Sequence, residues 1–418
     1  PGSFFYPFVV WKEVVMKPSR YFGLDVHKAY LVAVAVDDEK QVVYGPRRVE
    51  WPQFERWIAQ ALTKEDAVVI EMTTNTWEVY DTLTPHVFNV LVVHPQHVKA
   101  IVDAQVKTDK KAAQTLAELL AAGLLHGIWA PDNYIRDLRM LASQRKKMGR
   151  LGATAKNRLH AVLHRHHIIP PEGFELFHPN LKPWWEGLKV SAMEKVRIKS
   201  DLATQEFAQQ QKAMLEEEMG KVAAQDERIP LLIQIPGIAM LTAVTILAAI
   251  GTITRFPDAK HLVGYAGLGA RVHDSGERYT TGGITKMGRR DLSGAIIDAA
   301  NAAARHHPYW KKVFERLEFR LGRSRAIVTI ARKLLITVWH VLRGELVDKY
   351  HDPRDIACSL FRLAYAVKVR NLPDQQSAIQ FTRNQLDRLG IGADIETIPW
   401  GTKNVKLPPS KLKEKDNK

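Results

Sequence analysis

Cysteine is almost absent from this chain: Cys358 stands alone among 418 residues. A single thiol excludes an internal disulfide framework and any zinc site built on several cysteines, and it suits a reducing, cytoplasmic compartment. An uninterrupted apolar run of membrane-spanning length is also missing. The stretch 229–254, IPLLIQIPGIAMLTAVTILAAIGTIT, has no charged residue, but Gln234, Pro236 and Gly237 break it. What remains falls below the ~20 residues that a span requires, so a buried helix is expected and no membrane partner. No secretory signal is visible; residues 1–15 lack an initiator Met and read as an extension ahead of Met16.

Acidic residues are in deficit. Asp and Glu number 45 against 60 Lys and Arg, which gives a net charge of +15 and a pI near 9.7. Excess charge of this size favours a polyanionic partner, nucleic acid before a membrane surface, because neutralising phosphates releases counterions. The length exceeds one ordinary domain and implies several units.

From Tyr21 the pattern has period two. YFGLDVH, AYLVAVAVD and KQVVYGPRRV read as three strands, with DDEK as a hairpin turn. PQFERWIAQAL follows as an amphipathic helix, AVVIEM as a buried strand, TWEVYDTL as a helix and FNVLVVH as another buried strand. Thr108 then caps a helix opened by Asp109 and carrying the apolar stripe Ala112, Ala113, Leu116, Leu119 and Leu120. Three antiparallel strands followed by alternating helix and strand imply a mixed sheet with helices on its faces.

Strand signals then stop. Residues 136–165 hold nine Lys or Arg and one acid, with Leu138, Leu141, Met148, Leu151, Ala155, Leu159 and Val162 at helical spacing. A second long helix, over about 189–226, has Phe207, Met214 and Val222 as sparse apolar contacts. Two long charged helices predict an antiparallel coiled-coil arm. A compact helical region reaches to about 345 and contains a glycine-rich basic loop, GYAGLGARVHDSGERYTTGGITKMGRRDLSG. The lysine-rich tail from Thr402 is expected to be disordered or to order on nucleic acid. The expected boundaries are an extension (1–18), the sheet domain (19–130), the basic helical region (131–228), a second compact domain (229–345) and a C-terminal extension with the basic tail (346–418).

Three acids of the first unit stand out. Asp25 lies inside the first strand among residues that should be buried, and a buried carboxylate costs several kcal/mol unless paired or metal-bound. Glu71 ends the fourth strand and Asp109 opens the later helix. If the first and fourth strands are neighbours, Asp25 and Glu71 can face one another, and a helix can bring Asp109 to them. Converging carboxylates need a cation, and oxygen-only ligands select Mg²⁺ or Mn²⁺. The pairs in HRHH and RHHP (His164, His166 and His167; His306 and His307) are not spaced to share an ion and read as basic surface.

The runs GLDVHK, VIEM and KTDKKAA, followed by IPGIAMLTAVTILAAIG, YAGLGARVHDSG and GGITKMGRR, resemble the DEDD transposases of bacterial insertion sequences, relatives of the Piv-type DNA invertases. The likeness runs from about Tyr21 to Arg343, with the motifs in order in two separate regions. It implies an RNase H- or RuvC-like mixed-sheet domain, the helical arm, and a mostly helical transposase domain with a helix-hairpin-helix-like element around Gly237. It implies, too, recombination guided by a structured non-coding bridge RNA, double-stranded donor and target DNA as substrates, and a dimer or tetramer of this chain. By motif, Asp25, Glu71 and Asp109 are three of four catalytic, metal-binding acids. The fourth position, three residues after Asp109 and so on the same helical face, is Ala112.

Ser275 in HDSGE matches the family's nucleophilic serine, with Arg271, Arg278, Lys286, Arg289 and Arg290 to neutralise phosphate; Ser293 is a competitor in a predicted helix. Arg145, Lys146, Lys147 and Arg150 in the arm are expected to hold RNA. Two other readings stand beside recombination: a RuvC-like nuclease that uses water, and, because of Ala112, a nucleic-acid-binding protein without activity.

Overall fold

The computed structural model describes residues 17–101, 108–275, 278–285, 287–344 and 352–412. They divide into two compact units, one ending at Asp132 and one beginning at Asn133.

The first unit is built on five strands, β1 (Arg20–Val26), β2 (Tyr30–Val36), β3 (Val42–Glu50), β4 (Asp66–Glu71) and β5 (Asn89–Val93), in the order β3-β2-β1-β4-β5. β1, β2 and β3 are antiparallel and β1, β4 and β5 parallel, so the expected mixed sheet is present. Asp37 accepts from the amides of Glu39 and Gln41 and closes the β2–β3 turn. One face, with Phe22, Leu24, Leu31, Val68 and Ile70, packs on α1 (Phe54–Ala61) and α2 (Thr76–Leu83) through Trp57, Ile58, Val79 and Leu83. After β5 come α3 (Pro95–Ile101) and α4 (Asp109–Ala121). α4 covers the opposite face, where Ala113, Leu116 and Ala117 meet Val32, Val34, Val69 and Ala67. Its approach is close enough that a Cβ on Gly23 would collide with the carbonyl oxygen of Ala113 and the amide of Ala117. Glycine at the centre of β1 is therefore what lets helix backbone lie on strand backbone.

In the second unit α5 (Asn133–Arg165), the short α6 (Lys182–Glu186) and α7 (Ala192–Gln225) come first. Ion pairs Arg145–Glu216, Arg158–Asp201 and Arg165–Glu194 descend one helix as they climb the other, so α5 and α7 are antiparallel. A small core of Leu159, Val162, Trp185, Leu188 and Ile198 closes the far end. The α7 contacts differ from the sequence expectation. Phe207 and Met214 are about half exposed, whereas Ala208, Leu215 and Met219 are buried. Bulk misled there: Ala208 and Leu215, each one position along from the expected contact, enter the α7 seam instead.

The apolar run breaks into α8 (Arg228–Ile233) and α9 (Met240–Ile250) around Gly237, whose φ is +84° and whose absent side chain admits the Ala299 carbonyl. No helix among the described residues is long and apolar enough to cross a membrane. α10 (Ala259–Tyr265), a hairpin of β6 (Ala270–Ser275) and β7 (Arg278–Ile284), α11 (Arg290–His306), α12 (Pro308–Leu321) and α13 (Arg323–Leu342) follow. The glycine-rich basic loop is thus a two-stranded hairpin over much of its length. The C-terminal end of α9 is capped by cations: Arg139 donates to Ala248 and Ala249, Arg255 to Ile250, and Arg228 to Gly251. Positive charge there complements the helix dipole and occupies orphan carbonyls.

α14 (Pro353–Ala366), α15 (Ala378–Leu389) and a hairpin of β8 (Thr397–Trp400) and β9 (Lys403–Lys406) complete the unit. The expectation of a disordered tail from Thr402 is corrected as far as Leu412. Leu407 is buried, the Ser410 hydroxyl donates to Asp387 at 2.7 Å, and buried Arg383 donates to the carbonyls of Pro408, Gly392 and Ile395. Charge counts alone concealed these backbone acceptors. Residues 413–418 lie outside the described chain.

Candidate active site

Strand alternation sets the first half of the site. Gly23 faces α4, so Asp25, two residues on, lies on that face at the C-terminal end of β1. Leu24 pairs with Ile70 in the parallel ladder, which carries Asp25 and Glu71 to the next step of adjoining strands. The same docking that needs Gly23 delivers the first residue of α4. Thr108 caps that helix, as expected, by accepting from the Lys111 amide.

The side chains that meet there are Asp25, His27 and Asp109, whose ligand atoms lie within 4.8 Å of one another. His27 Nε2 is 3.2 Å from Asp25 Oδ2 and 3.5 Å from Asp109 Oδ2. The Tyr30 hydroxyl donates to Asp109 at 3.0 Å, and its ring lies against His27 on one side and under the Arg48 guanidinium. The hydrogen bond to Asp109 raises the Tyr30 pKa above its ordinary value, with burial and the negative charge of Asp109 adding to it. Tyr30 therefore stays a neutral donor that orients the carboxylate.

Two expected features differ. Glu71 holds the adjoining strand position but is not in the group within 4.8 Å. The donor set is not oxygen-only, because His27 brings a nitrogen. Sequence reasoning passed over His27, although period two from Asp25 would have placed it on the same face. Ala112, in the first turn of α4, donates its amide to Thr108 and offers no ligand.

Ser275 is the last residue of β6 and pairs with Arg278, the first of β7. Arg271 is exposed and donates to the Thr285 carbonyl. Lys286 lies outside the described residues. Arg289 is turned to structure: it grips Asp291 through three hydrogen bonds of 2.8–3.0 Å, and its amide donates to Tyr265 at the root of the hairpin. Burial would weaken its charge, but Asp291 outweighs that and raises its pKa. Its neighbour Arg139 goes the other way, pushed down to about 10 by burial and by the charges of Arg289 and Arg255. Arg290 is exposed at the start of α11, which also carries Ser293, as expected. On α5, Lys146, Lys147 and Arg150 are exposed, whereas Arg145 is half-buried and paired with Glu216 at 2.6 Å.

Residues 22–168 match the DEDD transposase family of the IS110 type, and residues 229–315 match the IS116/IS110/IS902 transposase family. The chain belongs to the IS110 family of transposases. It is similar to the transposase for insertion sequence element IS1111A of Coxiella burnetii, 26% identical over 336 residues, which covers 78% of this chain and 90% of that protein. The pilin gene-inverting protein of Moraxella bovis is 28% identical over 342 residues, 78% of this chain and 96% of the relative. Within the IS110-family match, Asp25, His27, Glu71, Asp109 and the basic part of α5 fall in the first matched segment. Ser275 and the hairpin fall in the second. The protein is thus a transposase of an IS110-family insertion sequence, an enzyme class that acts on DNA by cutting and rejoining it. α13, α14 and α15 lie beyond both segments.

Proposed function

We propose that this transposase exchanges DNA strands through a covalent phosphoserine intermediate on Ser275, at sites chosen by a structured RNA. The observation that carries the reading is the convergence of Asp25, His27 and Asp109, drawn from two elements far apart in sequence. Two carboxylates so close repel unless a cation or a protonated imidazole lies between them. Their separation and mixed oxygen–nitrogen donors fit a divalent ion, held by Asp25, Asp109 and His27, with Glu71 on the neighbouring strand. Hard oxygen donors suit Mg²⁺ and Mn²⁺ alike; the imidazole suits Mn²⁺ the better of the two. Such an ion supplies charge stabilisation at a reacting phosphoryl oxygen.

In this reading the Ser275 oxygen forms a bond to phosphorus, and the bond from phosphorus to a deoxyribose oxygen breaks. The serine hydroxyl gives up its proton and the leaving oxygen takes one up, so the step is neutral in protons. The ester conserves the energy of the broken bond, so a second DNA hydroxyl can reverse the step and free the serine without ATP. Arg271, Arg278 and Arg290 supply positive charge for the transition state. Lys146, Lys147 and Arg150 hold RNA phosphates. Two strands on each of two duplexes must be exchanged, which calls for two or four copies of the chain.

Ala112 favours a second reading for this sequence as it stands: nucleic-acid binding with little cleavage, because the fourth acid is missing. The discriminating experiment is denaturing electrophoresis after incubation with substrate DNA and Mn²⁺, in the Ala112→Asp background. A protein–DNA adduct is expected, and Ser275→Ala abolishes it while RNA binding persists. Free nicks without adduct mean hydrolysis by water; an adduct that survives Ser275→Ala transfers the role to Ser293.

A further inference from the structure

The segment 352–412 lies outside both family matches, and its surface carries two large aromatic rings in solvent. Tyr365, near the end of α14, is 51% exposed, and Trp400, at the end of β8, is 38% exposed. Their rings are nearly parallel, 5.4 Å apart at 20°. Beneath them buried Phe361 stands edge-on to both, at 5.1 Å and 4.9 Å. Anchoring of the hairpin to α14 is already provided by Phe361 and by fully buried Ile398. That anchoring does not account for the exposed faces of the outer rings.

Two cations flank the pair. Arg362 precedes Tyr365 by three positions on α14, which sets both on one side of the helix. Lys403 is the cross-strand partner of Trp400, so both project from the same face of the hairpin. Both are exposed, and neither forms an ion pair among the described residues. Nearby cations are engaged: Lys368 and Arg370 with Glu217, Arg388 with Glu227. Arg362 also lines a cavity of about 1470 Å³ that Lys146 of α5 lines as well. Unpaired positive charge thus borders the rings.

We infer that Tyr365 and Trp400 form a stacking platform for unpaired bases of an RNA strand, with Arg362 and Lys403 on its phosphates. Flat aromatic faces accept any base, and adjoining cations hold the backbone. Paired bases cannot present a face, so a duplex does not fit. The choice of RNA rests on the reading above, in which the DNA is duplex and the RNA is structured; loops of such an RNA offer splayed bases. An apolar protein partner would leave both cations without counter-charge.

The test uses the full chain and fluorescent oligo(U), read by anisotropy, with 5-iodouridine-substituted oligo(U) for photocrosslinking and peptide mapping. Crosslinks on Tyr365 or Trp400 are expected. Tyr365→Leu and Trp400→Leu should each weaken oligo(U) binding about 5- to 100-fold, and Tyr365→Phe should retain affinity because it keeps the face. A blunt DNA duplex should be insensitive to all three. Crosslinks confined to other residues, or Leu variants with unchanged affinity, overturn the platform; mapping on the unmodified chain decides even if a variant fails to fold. Ring crosslinks to oligo(dT) but not to oligo(U) overturn the RNA assignment. No DNA cleavage enters this assay, so failure of the Ser275 adduct and failure of the platform are read separately.

Discussion

The sheet site and the β6–β7 hairpin, the two places to which the proposed function assigns chemistry, are built in opposite ways. Asp25 and Asp109 project from a strand and a helix whose backbones touch at Gly23, so their positions are fixed by the hydrophobic core beneath them. Ser275 ends a two-stranded ribbon rooted by Arg289, Asp291 and Tyr265. Groups that share an ion must hold their spacing to fractions of an ångström, which a packed scaffold supplies. On the proposed reading Ser275 is a nucleophile that must meet a phosphodiester, a task suited to a hairpin rather than to a packed core.

That contrast can be broken most severely at glycine. Gly23→Ala drives a Cβ into α4 backbone, and a loss of about 3 kcal/mol in urea denaturation is expected, at the upper end of overpacking. Gly283→Ala, in β7, meets nothing within 4 Å and should stay within about 0.5 kcal/mol. Equal costs at the two glycines would erase the distinction between packed and projecting sites.

Next in size is restoration of the fourth acid. Ala112→Asp places a carboxylate one turn from Asp109, and Mn²⁺- or Mg²⁺-dependent strand cleavage should rise on the order of 10- to 100-fold. Equal cleavage by both forms in an oligonucleotide strand-transfer assay would sink the four-acid model.

Smaller effects separate paired from unpaired arginines and lysines. Replacing Lys146 and Lys147 by alanine should reduce the slope of log K against log salt for RNA by roughly 0.7 to 0.9 per lost contact. Arg145→Ala should change that slope less, since Glu216 already neutralises Arg145. An equal slope change from Arg145 would show that Glu216 releases it on binding.

The smallest expected effect is a pH response at the hairpin root. Burial pushes Asp291 upward, but hydrogen bonds from Arg289 outweigh it and hold its pKa below the ordinary 3.8. A depressed carboxylate contributes stability that is complete above its unfolded pKa and is lost as pH falls through its lower folded value. Asp291→Asn should therefore be less stable than the parent at neutral pH, with the gap closing in acid. A gap that widens in acid would contradict the sign.

Most of the first unit was legible because period-two runs such as YLVAVAV and the Thr108–Asp109 start signal are local. The site itself was legible in part. Asp25 announced itself as charge where burial was expected and Asp109 as the acid opening a capped helix, but His27 did not, since a histidine beside a turn has many ordinary uses. The hairpin at 270–284 was hidden by its glycines, although VHDS and RYTT, which pair in it, are rich in strand-forming residues. The C-terminal segment was misread because Arg383 looks like surface in any composition. Asp387, one turn on, is a partner that the sequence pattern offers, but the hydrogen-bond acceptors of Arg383 are backbone carbonyls 9 to 25 residues away, which no side-chain pattern encodes.

Arg383 has a consequence for the order in which the chain becomes structured during synthesis. Its guanidinium is 2% exposed, and its acceptors are carbonyls of residues 392, 395 and 408. Until residue 408 leaves the ribosome, α15 can close on its neighbours only by burying a charge that lacks part of its hydrogen bonding, at a cost of several kcal/mol. The sheet unit has no such wait, because each of its strands and helices is complete by Ala121. Translation would thus deliver a finished sheet unit well before the C-terminal segment could lock.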